Sequence, residues 1–321
     1  MKRGIFIGID GGGTHSTAVA AWPDGRTAAV AYGGGLNFHN DGVEKVRLRL
    51  EEMVEELCEK CGASAEKVCV GMSALDGPAD DATLALFTSG KLSAEQLDLQ
   101  SDAYVALMGL TRGEPGMIVI CGTGSMLLLL DEENHQLVSG GWGYLLGDAG
   151  SGYTLAREGL LAVIDEADGV GSATPLTAKA LEYFGVTHAR ALIDVVYAPD
   201  CTPDRIAGFA RYVVALAEEG ETVAGEILAR NMRKLAAQAA QLFKKAPSTC
   251  LAGLYGGIFA HSAMARSVFG SALMERMPQA QICLPDYQPE LGAIIHLMRR
   301  EGSLCKESLA LLKNTYEEIR R

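Results

Sequence analysis

Residues 4–20 read GIFIGIDGGGTHSTAVA, and residues 117–130 read MIVICGTGSMLLLL. In both stretches a short apolar run ends in a glycine turn, a hydroxyl residue follows, and a second apolar run begins. Short apolar runs bounded by glycine are typical of buried strands that a tight turn connects. The likeness of the two stretches predicts an internal duplication, with two similar α/β lobes facing each other across a cleft.

The segments around each stretch extend this pattern. The first half predicts three consecutive strands, a helix over about 41–61, the strand VCVGMSAL, a further helical segment and a short strand before Asp102. This βββαβαβ order indicates a mixed sheet. The second half restarts with MIVICGTGS, MLLLLD and QLVSGG, continues with helices over about 151–245, and adds the strands TCLAGLYGG and AQICLP. Two helices follow, over 289–300 and about 306–320.

A length of 321 residues fits two domains of ordinary size. The stretch Gly-Glu-Pro-Gly at 113–116 is the predicted boundary. We therefore expect an N-terminal lobe at 1–113 and a C-terminal lobe at 114–305. The helix over 306–321 is expected to pack back on the first lobe.

The composition describes a globular, acidic protein. Hydrophobic residues make up 48% and charged residues 21%, which supplies a core and excludes a disordered chain. The 28 basic and 40 acidic residues give a net charge of −12, which argues against binding nucleic acid or an anionic membrane. No apolar run approaches the roughly 20 residues that span a bilayer, and Asp10 interrupts the N-terminal run. A cytoplasmic location is expected.

The eight cysteines are scattered, mostly in apolar segments, as expected of reduced, buried thiols. Cys58 and Cys61 form one CxxC on the apolar face of the predicted 41–61 helix, where packing explains them. Ligation of a cluster stays open as the alternative. A zinc site would need a second pair at the right spacing, and the sequence has none.

The glycine loops suit phosphate chemistry. After a strand, Asp10-Gly11-Gly12-Gly13-Thr14 offers successive backbone N–H groups without side chains in the way. Asp10 is a candidate Mg²⁺ ligand, and the Thr14 hydroxyl is a candidate donor. A plain hairpin turn is the alternative. The loop has neither the GK[ST] of a Walker motif nor a GxGxxG that opens a helix. The loop at 122–125 and the glycines at 256 and 257 repeat the arrangement.

Taken in chain order, DGGGT, SDA, CGTGS, GGWGYLLGDAGSGY and YGGIF resemble the actin-like ATPase superfamily. Within it the chain resembles the N-acetylglucosamine kinase and benzoyl-CoA reductase activator family, the BadF/BadG/BcrA/BcrD ATPase type. The resemblance covers about residues 4–300 and is most specific over 140–153. It implies two ribonuclease-H-like lobes with mixed five-stranded sheets that close over ATP. Ala149 stands where GDEGS has glutamate.

The resemblance also implies roles for individual residues. Asp102 is implied as the general base and Asp10 as the metal-binding residue. The nucleotide is expected at Asp10, Gly11, Gly12, Gly13, Thr14, Gly122, Thr123, Gly124, Gly256 and Gly257. The amino sugar is expected at Asn37, Asp102, Ser125, Trp142, Gly143 and Asp148.

For several of these residues, a purely structural role is the alternative to ligand binding. Asp102 precedes AYVALMGL and is also a candidate helix cap, as are Asp148 and Ser151 before the next predicted helix. Trp142, flanked by glycines, is a candidate wall beside a sugar, with simple packing as the alternative. Asn37 follows three glycines and a leucine, where asparagine commonly forms local turns.

The activity that the resemblance implies is ATP-dependent phosphorylation of an amino sugar, with N-acetylglucosamine 6-phosphate as the expected product. Glucosamine and N-acetylmuramic acid are alternative substrates. A different class is an ATPase activator of a CoA-ester reductase or dehydratase, which shares a [4Fe–4S] cluster across a dimer. A sugar sensor without catalysis is a third class. The implied cofactors are ATP and Mg²⁺. Whether the chain forms a homodimer stays open.

Overall fold

The computed structural model describes residues 4–320. The chain divides into two compact units. Unit 1 combines Met1–Pro115 with Pro285–Arg321, and unit 2 is the continuous segment Gly116–Leu284. In the described part of the chain, no helix is both long enough and apolar enough to cross a bilayer.

Unit 1 is built on a five-stranded sheet in the order β3-β2-β1-β4-β5. Its strands are β1 (Ile5–Gly11), β2 (His15–Ala21), β3 (Thr27–Gly34), β4 (Ala65–Met72) and β5 (Leu97–Ser101). β1, β2 and β3 run antiparallel to their neighbours, whereas β1, β4 and β5 are parallel. The carboxyl ends of the three parallel strands therefore meet at one edge of the sheet.

Six helices accompany this sheet. They are α1 (Phe38–Asp41), α2 (Val43–Cys61), α3 (Asp81–Phe87), α4 (Asp102–Thr111), α13 (Pro289–Arg300) and α14 (Lys306–Ile319). The helix predicted over about 41–61 is present but begins at Val43. Gly42 separates it from α1, because its φ of +83° leaves the helical region.

Unit 2 repeats the arrangement on a second five-stranded sheet, in the order β10-β9-β6-β7-β8. Its strands are β6 (Gly116–Cys121), β7 (Ser125–Leu130), β8 (Gln136–Gly140), β9 (Leu251–Tyr255) and β10 (Gln281–Cys283). Its helices are α5 (Gly152–Ala167), α6 (Leu176–Phe184), α7 (Leu192–Val196), α8 (Pro203–Ala207), α9 (Ala210–Glu218), α10 (Thr222–Phe243), α11 (Gly257–His261) and α12 (Ala263–Met274), with a 3-10 turn at Ala189–Ala191.

The two sheets have the same topology. In each, the first strand of the unit is central, the next two follow antiparallel on one side, and the last two follow parallel on the other. This arrangement confirms the predicted α/β class and the duplication of a mixed five-stranded sheet. Each unit also has its own apolar core, around β1 and α2 in unit 1 and around β6, α5 and α10 in unit 2.

The unit limits differ from the predicted ones over residues 285–305. The sequence placed the 289–300 helix in the second lobe, but α13 belongs to unit 1. Close backbone packing explains its position. A Cβ on Gly292 would lie 1.9 Å from Val105 O of α4, and one on Gly8 of β1 would lie 2.4 Å from Glu290 O. Glycine thus allows α13 to approach β1 and α4.

Candidate active site

The first glycine loop connects β1 to β2 in unit 1. Gly11 is held close to β4, since a Cβ there would lie 2.7 Å from Gly71 O. On the other side, a Cβ on Gly35 would lie 2.2 Å from Gly13 O. Gly13 and Thr14 themselves are exposed, and a Cβ on Gly13 would meet nothing within 4 Å. The turn is therefore packed at its base and open at its tip, where a ligand can approach the backbone.

Asp10 lies at the carboxyl end of β1, beside the loop. Burial, followed by the nearby carboxylates of Glu290 and Asp102, raises the pKa of Asp10 from 3.8 to about 7. All three causes disfavour the charged form of this carboxyl. A divalent cation at this position would have the opposite effect and favour the carboxylate. A carboxylate oxygen is a type of ligand that Mg²⁺ prefers.

Asp102 lies at the first position of α4, directly after β5. The cap of this helix is Ser101, whose hydroxyl accepts a hydrogen bond from Tyr104 N at 3.2 Å. The N-cap position therefore belongs to Ser101, and Asp102 lies in the first turn. Its carboxylate accepts from Ala103 N at 2.7 Å. Burial, opposed by backbone hydrogen bonds and supplemented by the charge of Asp76, raises the pKa of Asp102.

Glu290 is a residue that the sequence-based site did not include. It lies in the first turn of α13, is 5% exposed, and accepts a hydrogen bond from the Tyr316 hydroxyl of α14. Its charge contributes to the raised pKa of Asp10. The local signal that points to it is an acidic residue directly after Pro289, followed by the apolar run LGAII at 291–295.

Asn37 serves as the N-cap of α1. Its Oδ1 accepts from His39 N at 3.1 Å and from Asn40 N at 3.3 Å. This is the local turn role that the sequence left open. Its Nδ2 donates to Ser73 Oγ at 3.5 Å, just beyond β4. The cap thus fixes Asn37 near the carboxyl end of a parallel strand.

The second glycine loop connects β6 to β7 in unit 2. Gly122 N donates to Gly124 O at 2.9 Å, which closes the turn. Gly152 N of α5 donates to Gly122 O at 2.7 Å, and Tyr153 N donates to Thr123 O at 3.1 Å. The Thr123 side chain is exposed beside the turn. The first turn of α5 therefore supports this loop, as the backbone of β4 supports the first one.

Asp148 is buried against the second glycine loop. It has the left-handed φ of +60°, which non-glycine residues rarely adopt. A Cβ on Gly124 would lie 2.9 Å from Asp148 Oδ2, so this carboxylate lies directly against the glycine. Burial raises the pKa of Asp148, and a hydrogen bond from Ser125 N opposes the rise. Ser151 caps α5 by accepting from Thr154 N at 3.1 Å, so Asp148 is not the cap.

Trp142 lies in a loop with little packing around its ring. The side chain is 73% exposed, so the core-packing alternative is wrong. Gly141 and Gly143 have φ values of +71° and +79°, and Gly143 is itself exposed. Leu145 and Leu146, in the same loop, are also strongly exposed. The Trp142 indole is therefore available to a ligand.

A cavity of about 690 Å³ lies within unit 2 and begins at the second glycine loop. Gly122 and Thr123 line one end, and Gly257 lines it after β9. The Gly256 φ of +100° brings its backbone against Cys121, since a Cβ there would lie 2.5 Å from Cys121 O. The remaining lining residues were not predicted from the sequence: Gly152, Asp204, Ala207, Gly208, Ala210, Arg211, Val214, Ala215, Glu218, Ile258 and His261. Most come from α8 and α9, which carry no recognisable motif.

Three of the cysteines lie in packed surroundings. Cys121 is fully buried, and its Sγ lies 2.8 Å from Gly150 O. Cys58 and Cys61 lie at the end of α2, half-buried, and burial raises the pKa of both thiols. Packing on the helix accounts for this CxxC, as the sequence predicted.

Comparison with known proteins finds relatives that are named as amino sugar kinases. The chain is 29% identical to N-acetyl-D-glucosamine kinase from Dictyostelium discoideum, over 92% of this chain and 98% of that protein. It is 29% identical to N-acetylmuramic acid/N-acetylglucosamine kinase from Clostridium acetobutylicum, over 71% and 76% of the two chains. A solved structure of an N-acetylglucosamine kinase candidate from Chromobacterium violaceum matches with a TM-score of 0.69 and 26% identity, covering 92% of this chain and 98% of that one.

A family model describes most of the chain. The model of the BadF/BadG/BcrA/BcrD ATPase family matches residues 7–296, which include both glycine loops, Asp102 and the Asp148 segment. The matched region also contains both five-stranded sheets, except for Ile5 and Phe6 at the start of β1. The chain therefore belongs to the BadF/BadG/BcrA/BcrD ATPase family.

Proposed function

We propose that this protein is a sugar kinase that uses MgATP to phosphorylate an amino sugar, with N-acetylglucosamine as the first candidate and its 6-hydroxyl as the acceptor. The names of the related kinases support the substrate class. The observation that carries the proposal is Asp102. It is a half-buried carboxylate with a raised pKa at the carboxyl end of a parallel strand, near enough to Asp10 for its charge to raise the pKa of that residue.

Asp102 acts as the general base in this proposal. Its carboxylate orients the sugar hydroxyl and accepts its proton while the hydroxyl oxygen bonds to the γ-phosphorus of ATP and the bond to ADP breaks. Positioning and charge neutralisation dominate phosphoryl transfer, and a placed base typically contributes about 10²–10⁴-fold. A raised pKa brings the base nearer to neutral pH, where proton transfer is most effective.

The glycine loops hold the nucleotide. The backbone of Gly11, Gly12, Gly13 and Thr14 and of Thr123 and Gly124 offers N–H donors to phosphate oxygens. Gly122 shapes the second loop, because its own N–H closes the turn, and Gly256 and Gly257 border the purine. Asp10 binds the magnesium ion, with Glu290 adding negative charge nearby. When bound, Mg²⁺ neutralises charge that develops on the phosphates. A chain of net charge −12 does not attract ATP at long range, so these local donors carry the binding.

A separate set of residues is proposed for the sugar. Asp148 accepts hydrogen bonds from sugar hydroxyls, and Trp142 offers an apolar ring face. Asn37, Ser125 and Gly143 complete the proposed set. The Ser125 hydroxyl donates to Ala149 O at 2.8 Å, so toward a sugar it acts as an acceptor.

The test is ADP release with MgATP against a panel of N-acetylglucosamine, glucosamine, N-acetylmuramic acid, N-acetylmannosamine and glucose. Strong preference for one amino sugar supports the kinase and identifies its substrate. Glucosamine and N-acetylmuramic acid are included because related proteins are named for them. ADP release that is independent of every sugar would contradict the proposal and favour an ATPase with another acceptor.

A further inference from the structure

Asn231 is a buried amide on α10, outside the residues assigned to the sugar and the nucleotide. It is 3% exposed and lies among buried apolar positions of the same helix, such as Leu228, Met232 and Leu235. An amide in such surroundings destabilises the fold unless its polar atoms are bonded. The hydrogen bonds of the Asn231 side chain therefore indicate the role of this buried amide.

Every polar group of Asn231 has a defined partner. Its Nδ2 donates to Glu158 Oε2 at 2.8 Å and to Ile227 O at 3.0 Å, and both partners are acceptors only. This fixes the orientation of the amide, so its Oδ1 faces Gly150 and accepts from Gly150 N at 3.2 Å. Arg230 also contacts Glu158 Oε2, at 2.6 Å, and balances its charge.

The segment that Asn231 contacts is the Asp148 loop, defined here as residues 147–151. Side chains donate to three successive carbonyls of this loop: Thr154 Oγ1 to Asp148 O at 2.7 Å, Ser125 Oγ to Ala149 O at 2.8 Å and Cys121 Sγ to Gly150 O at 2.8 Å. Among the described residues, Asn231 supplies the side-chain acceptor for Gly150 N. Gly150 is itself left-handed, with a φ of +80°, and packs on Met232.

We propose that Asn231, oriented by Glu158, is a positioning residue that keeps the Asp148 loop in the conformation that presents Asp148 to the sugar. The part of this inference that concerns sugar rests on the proposed function. The reason is geometric: two left-handed residues, Asp148 and Gly150, flank Ala149, and a free Gly150 N–H would let this turn relax. Asn231 touches no substrate and acts through Gly150.

The test compares Asn231→Leu, which keeps the volume and removes the hydrogen bonds, with wild type. We expect the KM for the preferred sugar to rise about tenfold or more, whereas the KM for MgATP changes less than about twofold. Glu158→Gln keeps an oxygen acceptor for Asn231 and is expected to stay near wild type. Glu158→Leu removes the acceptor and is expected to follow Asn231→Leu. Equal changes in both KM values, or none, would overturn the inference.

A matched control separates positioning from stability. Leu242→Ala also removes a buried group from α10 but lies 11 residues from Asn231 in the sequence, about 16 Å along the helix axis. It is expected to lower the melting temperature without splitting the two KM values. Hydrogen exchange of residues 147–155, measured without any sugar, should rise in Asn231→Leu and not in Leu242→Ala. If no sugar were turned over by wild type, the proposed function would fail, and this exchange result would still decide whether Asn231 holds the loop.

Discussion

Carboxyl groups define the proposed chemistry at the residue scale. In unit 1, Asp10 and Asp102 lie at the carboxyl ends of β1 and β5, and burial is the largest cause of the raised pKa of both. Glu290 supplies a further charge beside Asp10, whereas Asp76 does so for Asp102. The two aspartates therefore have different neighbours, which suits Asp10 to binding a cation and Asp102 to accepting a proton.

Asp102→Asn tests the general base. The amide keeps the size of the side chain but accepts no proton, so turnover should fall by about 10²–10⁴-fold while sugar binding remains. Steady-state kinetics gives the turnover, and calorimetric titration gives the sugar affinity. Asp80→Asn is the control, because Asp80 is an exposed cap of α3 and asparagine caps comparably well. Near-normal turnover in Asp102→Asn would remove Asp102 from this role.

Asp76→Asn tests the cause of the raised pKa. The Asp76 charge raises the pKa of Asp102, so its removal lowers that pKa. Asp102 must be ionised to accept a proton, and the acid limb of the kcat profile should therefore move to lower pH. The turnover on the alkaline side of this limb should stay close to wild type. An acid limb that moved to higher pH, or did not move, would contradict the effect of the Asp76 charge on the pKa of Asp102.

At the scale of single elements, helix α13 was predictable from its own sequence, but its packing position was not. Local signals predicted the helix, since Pro289 occupies its first turn and apolar residues recur along it. They did not predict that it packs on β1 and α4, because this depends on glycines far apart in the sequence, Gly8 and Gly292. The strands and glycine loops were predictable, because their signals are local. The cavity residues from α8 and α9 were not, because only tertiary packing brings them together.

An ion-pair network also fixes α13 to the sheet of unit 1. His296 Nε2 lies 2.9 Å from Asp98 Oδ2 of β5, and Arg300 pairs with the same oxygen. Burial alone would raise the pKa of Asp98, but hydrogen bonds from His296 and Gln100 and the charge of Arg300 outweigh it and lower the pKa from 3.8 to about 2. The network therefore favours the ionised form in the folded state.

The low pKa of Asp98 predicts acid-sensitive stability. A depressed folded-state pKa stabilises the fold above the ordinary value of 3.8, and this contribution is lost as the pH falls toward 2. Asp98→Asn should lower the free energy of unfolding of unit 1 by about 2 kcal/mol at neutral pH, and the variant should lose less on acidification. Denaturant unfolding at several pH values measures this. Asp24→Asn, in an exposed turn, should retain the wild-type pH dependence.

At the scale of the whole molecule, the two units differ in how the chain builds them. Unit 2 is one continuous segment with its own sheet and core. Residues 285–321 complete unit 1. The duplicated glycine loops did not predict that α13, within this segment, belongs to unit 1. Its two segments meet closely: Arg112 Nη2 lies 2.9 Å from Asp286 Oδ2, and Thr27 N donates to Thr315 Oγ1 of α14 at 2.9 Å. The packing of unit 1 therefore includes residues from the end of the chain.

This difference predicts which parts of the chain fold alone. Residues 116–284 should fold as a separate polypeptide, because all five strands and the core of unit 2 lie within them. Residues 1–115 should not, because β1 loses α13 and β3 loses α14. Joining 1–115 to 285–321 by a short Gly/Ser linker should restore folding, since Arg112 already contacts Asp286. Circular dichroism and cooperative denaturant unfolding measure each polypeptide. Cooperative unfolding of 1–115 alone, or an unstructured 116–284, would show that the units do not fold as the chain divides them.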